Sequence, residues 1–257
     1  MFRVIYLILI TLGLSIGCSG ENQGMKEANS GKPSNVHWGY SGQIGPTFWG
    51  SLADEFVTCD VGREQSPINI KTERVMNLSP LEFSYKPSRD SVIVNNTHTL
   101  QITYENGSFM EIAGKQYELL QFHFHSPSEH KIHGKRADLV AHLVHKSQKG
   151  EIAVLAILFD EGMADELVST VWANAPRKKG NSMISGEINV KDWLPSDKTY
   201  YNYSGSLTTP PCTEKVNWNI LQSKLSVSKK QVADFKKIFK KSTRPIQALN
   251  DRVVGVK

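Results

Sequence analysis

The sequence holds little of what marks the more specialised protein classes. Only three of its 257 residues are cysteine, too few for a small disulfide-held scaffold or a cysteine-rich zinc module. There is no block of like charge. Its 30 basic and 25 acidic residues are interspersed and sum to +5, which argues for solubility and against a dedicated nucleic-acid binder. No internal repeat and no low-complexity linker follows residue 36, so nothing divides the chain into two domains. No apolar run reaches the roughly 18 residues of a membrane-crossing helix.

The one apolar run of note is residues 4–17, behind Arg3. It has the length of an export signal, so export is expected. Leu14-Ser15-Ile16-Gly17-Cys18 resembles a bacterial lipobox, in which Cys18 is lipidated and becomes the mature N-terminus. Ser15 stands where a larger aliphatic residue is usual, and cleavage near Gly17 to Gly20 by an ordinary signal peptidase is the alternative. Residues 1–18 therefore read as a signal peptide with a lipobox-like end. Residues 19–36, rich in Gly, Ser, Asn, Glu and Lys, read as a flexible tether. Residues 37–257 are the folded domain, periplasmic or at the cell surface, touching the membrane only through an anchor at Cys18. In that oxidising space Cys59 and Cys212 form a disulfide or remain two buried thiols. A bridge between them closes a very long loop, worth roughly 4 to 5 kcal/mol in the chain-entropy model.

What is present is concentrated between Gln121 and His145. His123 and His125 are two apart, so on a strand both imidazoles leave one face and Phe122 and Phe124 the other. Leu139 to His145 is a second strand candidate, and the short connection through His133-Gly134-Lys135 predicts an antiparallel return that brings His142 beside the pair. A lone His-x-His is more often a packing or surface feature. A third histidine in phase on the adjoining strand makes the group a metal candidate. Three neutral nitrogens suit zinc better than calcium or magnesium, which want oxygen. Three ligands without a fourth leave a position for water, as catalytic sites do.

Elsewhere, the aromatics of His37-Trp38-Gly39-Tyr40 and Phe48-Trp49-Gly50 read as core packing. Val92 to Val94 and Leu100 to Tyr104 alternate as strands, with Glu105-Asn106-Gly107 predicting a hairpin turn. A strand over Ile152 to Phe159 leads to an acidic turn, Asp160-Glu161-Gly162, and a helix over Ala164 to Ala173. Ser228-Lys229-Lys230-Gln231 is a capping-box sequence for a helix carrying Val232, Phe235, Ile238 and Phe239 on one stripe. Its lysines, 229, 230, 236, 237, 240 and 241, form a solvated face, with contact to anionic lipid as the alternative.

Eight short pieces then fall into order: His37-Trp38-Gly39-Tyr40, Gln65-Ser66-Pro67-Ile68, Asn95-Asn96-Thr97-His98, Gln121 to His125, Ser128-Glu129-His130, His142 to His145, Leu207-Thr208-Thr209-Pro210-Pro211 and Arg244-Pro245. Through them the chain from about His37 to Val256 resembles the α-class carbonic anhydrases. The resemblance implies a mainly β fold: a large, twisted, mostly antiparallel central sheet with short peripheral helices. It implies Zn2+ on His123, His125 and His142 at the bottom of a conical cleft, and reversible hydration of carbon dioxide to bicarbonate and a proton by zinc-bound hydroxide.

The same likeness makes His98 the proton shuttle, a task suited to an ordinary histidine pKa of about 6.5. It makes Thr208 accept from the hydroxide and donate to Glu129, since a hydroxyl has one proton to give. Thr209 lines the site, and Val144, Val154, Leu207 and Trp218 form the apolar substrate pocket. Gln121 and a main-chain carbonyl support His123 and His125, with Tyr40 nearby. One position departs from the pattern. Where the family commonly has a glutamate receiving the third histidine's other N–H, this chain has Val140, so His142 needs a carbonyl, a water or a neighbour such as Asp138. Such partners are typically worth about 10- to 100-fold in metal affinity or activity, which leads to the hypothesis of weaker zinc retention. Faster zinc loss from Val140→Glu than from wild type would refute it. Rival functions are a non-catalytic binding module of the same fold and a zinc esterase. Oligomeric state, a homodimer included, is left open by the sequence.

Overall fold

A computed structural model describes residues 36–71 and 73–257; the signal segment, Cys18 and all of the tether but Val36 lie outside the described residues. Among those residues, 13 strands form one mixed, mostly antiparallel sheet. Its middle runs, side by side, Leu100–Thr103, Lys115–His125, Leu139–Ser147, Ile152–Glu161, Glu214–Leu221 and Tyr200–Ser206. Parallel pairings enter where Ile152–Glu161 meets Glu214–Leu221 and Leu225–Val227. Long apolar runs explain the centre. Leu139–Ser147 and Ile152–Glu161 are covered on both faces, so runs of successive residues in each are buried.

The Lys115–His125 strand owes its usefulness to one irregularity. Tyr117 and Leu119 pack into the main core, and strict alternation would send Gln121, His123 and His125 after them. Instead the register with Leu139–Ser147 slips: Val144 pairs with Gln121 and His145 with Leu119, leaving Leu120 as the extra residue of a bulge. Beyond it Phe122 and Phe124 join Tyr117 and Leu119 in the core, and the histidines emerge on the opposite face.

Three expectations need correction. Glu105 to Gly107 do not close a hairpin, because Leu100–Thr103 and Phe109–Ile112 do not pair with each other. Each pairs with a different half of the long Lys115–His125 strand, at Gln121–His123 and Lys115–Glu118 respectively. The tight turn is at Ala113 and Gly114, both at positive φ. Asp160 and Glu161 belong to the end of their strand, held parallel to Ser226 and Val227. The next helix starts later than expected, at Glu166–Asn174, because Asp165 caps it by accepting from Val168 N at 2.7 Å.

The Lys229–Ile238 helix carries the full capping box of Ser228 and Gln231. Val232, Phe235 and Phe239 are buried, while Lys230 and Lys237 pair with Asp234 on the solvent side. Cys59 and Cys212 form a disulfide that joins the short Thr58–Val61 helix to the loop after Thr208 and Thr209. A persistent disulfide fits an oxidising, extracytoplasmic compartment. No helix among the described residues is long and apolar enough to cross a membrane.

Candidate metal centre

Antiparallel pairing sets His142 directly opposite His123, and Val140 opposite His125. One ring nitrogen from each of His123, His125 and His142 then lies within 4.8 Å of the others. No acidic side chain belongs to this group. Tautomers follow from the partners behind the rings. Gln121 Oε1 is 2.9 Å from Nδ1 of His123, and the Ser242 carbonyl, which can only accept, faces Nδ1 of His125. With protons on both Nδ1 atoms, each Nε2 presents a lone pair to the centre. In His142 the inward atom is Nδ1: it lies 4.0 Å from Glu129 Oε2, which is also 3.5 Å from Nε2 of His125. Its Nε2 faces away, buried and without a partner.

Two of the rings, His123 and His142, are held neutral by their surroundings. Burial, then the neighbouring His125, pushes the pKa of His123 well below its usual value, and burial does the same for His142 ahead of its three histidine neighbours. Imidazole nitrogens converging from one half-buried and two buried rings, with no cationic side chain among them, are a poor core and a good cation site. The donor set fits a zinc ion of the three-histidine type.

The group opens into a cavity of about 300 Å³. Val144, Val154, Leu207 and Trp218 form its apolar wall, joined by Ile152, which sequence reasoning had not singled out. Thr208 and Thr209 line it as well, with His98, Asn96 and Gln101 on the polar side. Tyr40 stands at the wall without supporting any ligand: its hydroxyl is buried and unpartnered, and burial, then Glu129, raises its pKa well above normal. His98 lies flat on Trp38, with centroids 3.6 Å apart and planes 7° from parallel. Burial, His37 and Lys179 lower its pKa to about 4.

Glu129 is fully buried. Its Oε1 accepts from Arg244 N at 2.8 Å, and its Oε2 has no hydrogen bond. The bond expected from Thr208 is therefore not formed here: Oε2 leans instead toward His125 and His142. Asp138 does not support His142 either. It precedes the strand, and its carboxylate accepts from Glu161 N at 2.8 Å. Arg244, of the Arg244-Pro245 pair, carries much of the floor. Its guanidinium bonds Gln65 Oε1, Ser66 O and Cys59 O, and burial lowers its pKa to about 10 against the pull of Glu129.

The eukaryotic-type carbonic anhydrase family model matches residues 44–257. A carbonic anhydrase of Nostoc sp. is 36% identical over 254 residues, spanning 96% of this chain and 95% of that protein. One from Klebsiella pneumoniae is 40% identical over 222 residues, spanning 85% and 90%. The solved structure of an alpha-carbonic anhydrase from Thermovibrio ammonificans with the inhibitor sulfanilamide superposes with a TM-score of 0.84 at 38% identity, over 86% of this chain and all of that one.

Proposed function

The chain belongs to the eukaryotic-type carbonic anhydrase family, whose general activity is hydration of carbon dioxide, and on that premise we propose that it works with one zinc ion on His123, His125 and His142. The observation that carries this is the convergence of three imidazole nitrogens within 4.8 Å at the foot of a half-apolar cavity. Zinc bound there would supply the Lewis acidity that makes water acidic near neutral pH, an effect for which carbonic anhydrase is itself the standard example.

The chain's own residues do the rest. Val144, Val154, Leu207 and Trp218 offer a non-polar, linear substrate a dry wall beside the histidines. Thr208 orients the attacking oxygen by accepting a hydrogen bond from it. That role requires its own hydrogen to turn to Glu129, a bond this structure does not form, after which it can act only as an acceptor. Support for that role is Oε2 of Glu129, a buried carboxylate oxygen on the same floor with no donor yet assigned to it. Thr209 closes the wall beside Thr208, its carbonyl accepting from Cys212 N at 2.8 Å. His98, at the wall between the histidines and Trp38, passes the released proton to buffer.

The catalytic domain, residues 37–257, works outside the cytoplasm behind a signal peptide, with a lipid anchor at Cys18. The apolar run at 4–17 and the Cys59–Cys212 bridge support export. Mass spectrometry of the mature N-terminus checks the anchor; an unmodified start after Cys18 excludes it. For the reaction, stopped-flow hydration is to be measured before and after chelation. Activity that vanishes with chelator and returns with zinc is the expected result. Zinc binding without hydration would leave a binding module, and ester hydrolysis alone would leave an esterase.

A further inference from the structure

Behind the metal-facing side two buried nitrogens lack partners, Nε2 of His142 and Nδ1 of His130. Each residue is 1% exposed. Both rings pack on Trp218, at 4.9 and 4.7 Å between centroids, and they stand 6.3 Å from each other. Val140 shares the face of His142, two residues along the strand, and offers neither donor nor acceptor.

A neutral imidazole has one N–H and one lone pair, so each ring constrains the other. With Nδ1 of His142 turned to the centre as a lone pair, its proton sits on Nε2 and needs an acceptor. On the far side, Nε2 of His130 is 2.6 Å from the Tyr203 hydroxyl, which is 2.7 Å from Ser66 Oγ. That chain can run in either direction. If Tyr203 donated to His130, Nδ1 of His130 would carry a proton too, and two buried donors would share a space with no acceptor, which buried polar groups avoid. If His130 donates to Tyr203, and Tyr203 to Ser66, one buried donor meets one buried acceptor.

We infer that His130 is the positioning residue of His142: through one buried water its Nδ1 lone pair receives the Nε2 proton, in a chain running from His142 to His130, Tyr203 and Ser66. A direct nitrogen-to-nitrogen bond of about 3 Å would bring the centroids closer than they stand. A water donating on one side and accepting on the other is satisfied in both directions. His142 is thereby backed by a neutral chain where a carboxylate at position 140 would be an anion, which leaves its imidazole a weaker base.

This rests on the zinc reading above, and the test separates the two. In zinc-loaded wild-type protein with 15N-labelled histidine, His130 should show the tautomer protonated at Nε2. Val140→Glu sets an acceptor between the rings, and should switch His130 to the Nδ1-protonated form and slow zinc release to a chelator by about 10- to 100-fold. His130 protonated at Nδ1 in the wild type overturns the inference, a reading that needs no variant to fold. So does an unchanged release rate in folded Val140→Glu. One zinc retained per chain with the wrong tautomer overturns this inference alone; no zinc retained after dialysis overturns both.

Discussion

At the scale of single residues, contacts rather than identities decide chemistry, and His98 is the clearest case. Its position matches a proton shuttle, but stacked on Trp38 it holds a proton only below about pH 4. At neutral pH it is an empty, weak acceptor. Turned into water it would regain an ordinary value near 6.5, so shuttling requires it to leave the indole. Trp38→Ala should therefore raise its titration midpoint, followed by NMR, from about 4 toward about 6.5; a midpoint that stays put would show that His37 and Lys179, rather than burial, set it. The three histidines were legible in the sequence because strand periodicity is local, and so was Gln121 beside them. The state of His98 was not, because Trp38 lies sixty residues upstream. The main-chain carbonyl expected behind His125 is there, but that Ser242 supplies it was not legible, nor was Arg244 N on Glu129: both come from a segment with no apolar period, fixed only by the finished fold.

At the scale of elements, the site depends on a slip and a staple. The slip at Leu120 was visible in principle, since the apolar phase changes from Tyr117 and Leu119 to Phe122 and Phe124. The misplaced hairpin at Glu105 to Gly107 shows the converse. Turn residues mark where a chain bends, but which strands pair depends here on one long strand receiving two short ones end to end. The staple is Cys59–Cys212. It anchors the loop that begins at Leu207 and carries Thr208 and Thr209, and both its residues are wired to the floor: Gln65 Nε2 donates to Cys212 O at 3.1 Å and Arg244 to Cys59 O at 2.9 Å. Removing it with the paired change Cys59→Ala and Cys212→Ala should lower stability in urea by roughly 4 to 5 kcal/mol, the loop-closure value for a span of this length. Hydration should fall with it as the threonine loop loosens. A loss under about 1 kcal/mol would mean that Arg244 and Gln65 hold the loop without it.

At the scale of the whole molecule, a sheet covered on both faces buries histidines that must remain neutral. His130 and His145 are held at about pKa 3 chiefly by burial, and His123 and His142 are also pushed well down. His145 is a structural member of this set: its Nε2 is 2.8 Å from the Tyr85 hydroxyl in the main core. In the unfolded chain all four return to about 6.5. The unfolded state then binds protons first as pH falls, so the stabilisation is complete above about 6.5 and is lost progressively toward about 3, where the folded protein begins to protonate as well. Each such histidine contributes about 1.4 kcal/mol per pH unit within that window. Going from pH 7 to pH 5, His130 and His145 alone should cost the zinc-free protein about 2 kcal/mol each. Urea denaturation at the two pH values reads this directly. A free energy of unfolding that is flat between them would require bulk solvent to reach His130 and His145 in the native state, and would contradict the close packing that keeps these two rings neutral. Zinc should steepen the same curve, since protons displace it from His123 and His142 over the range in which they destabilise the fold.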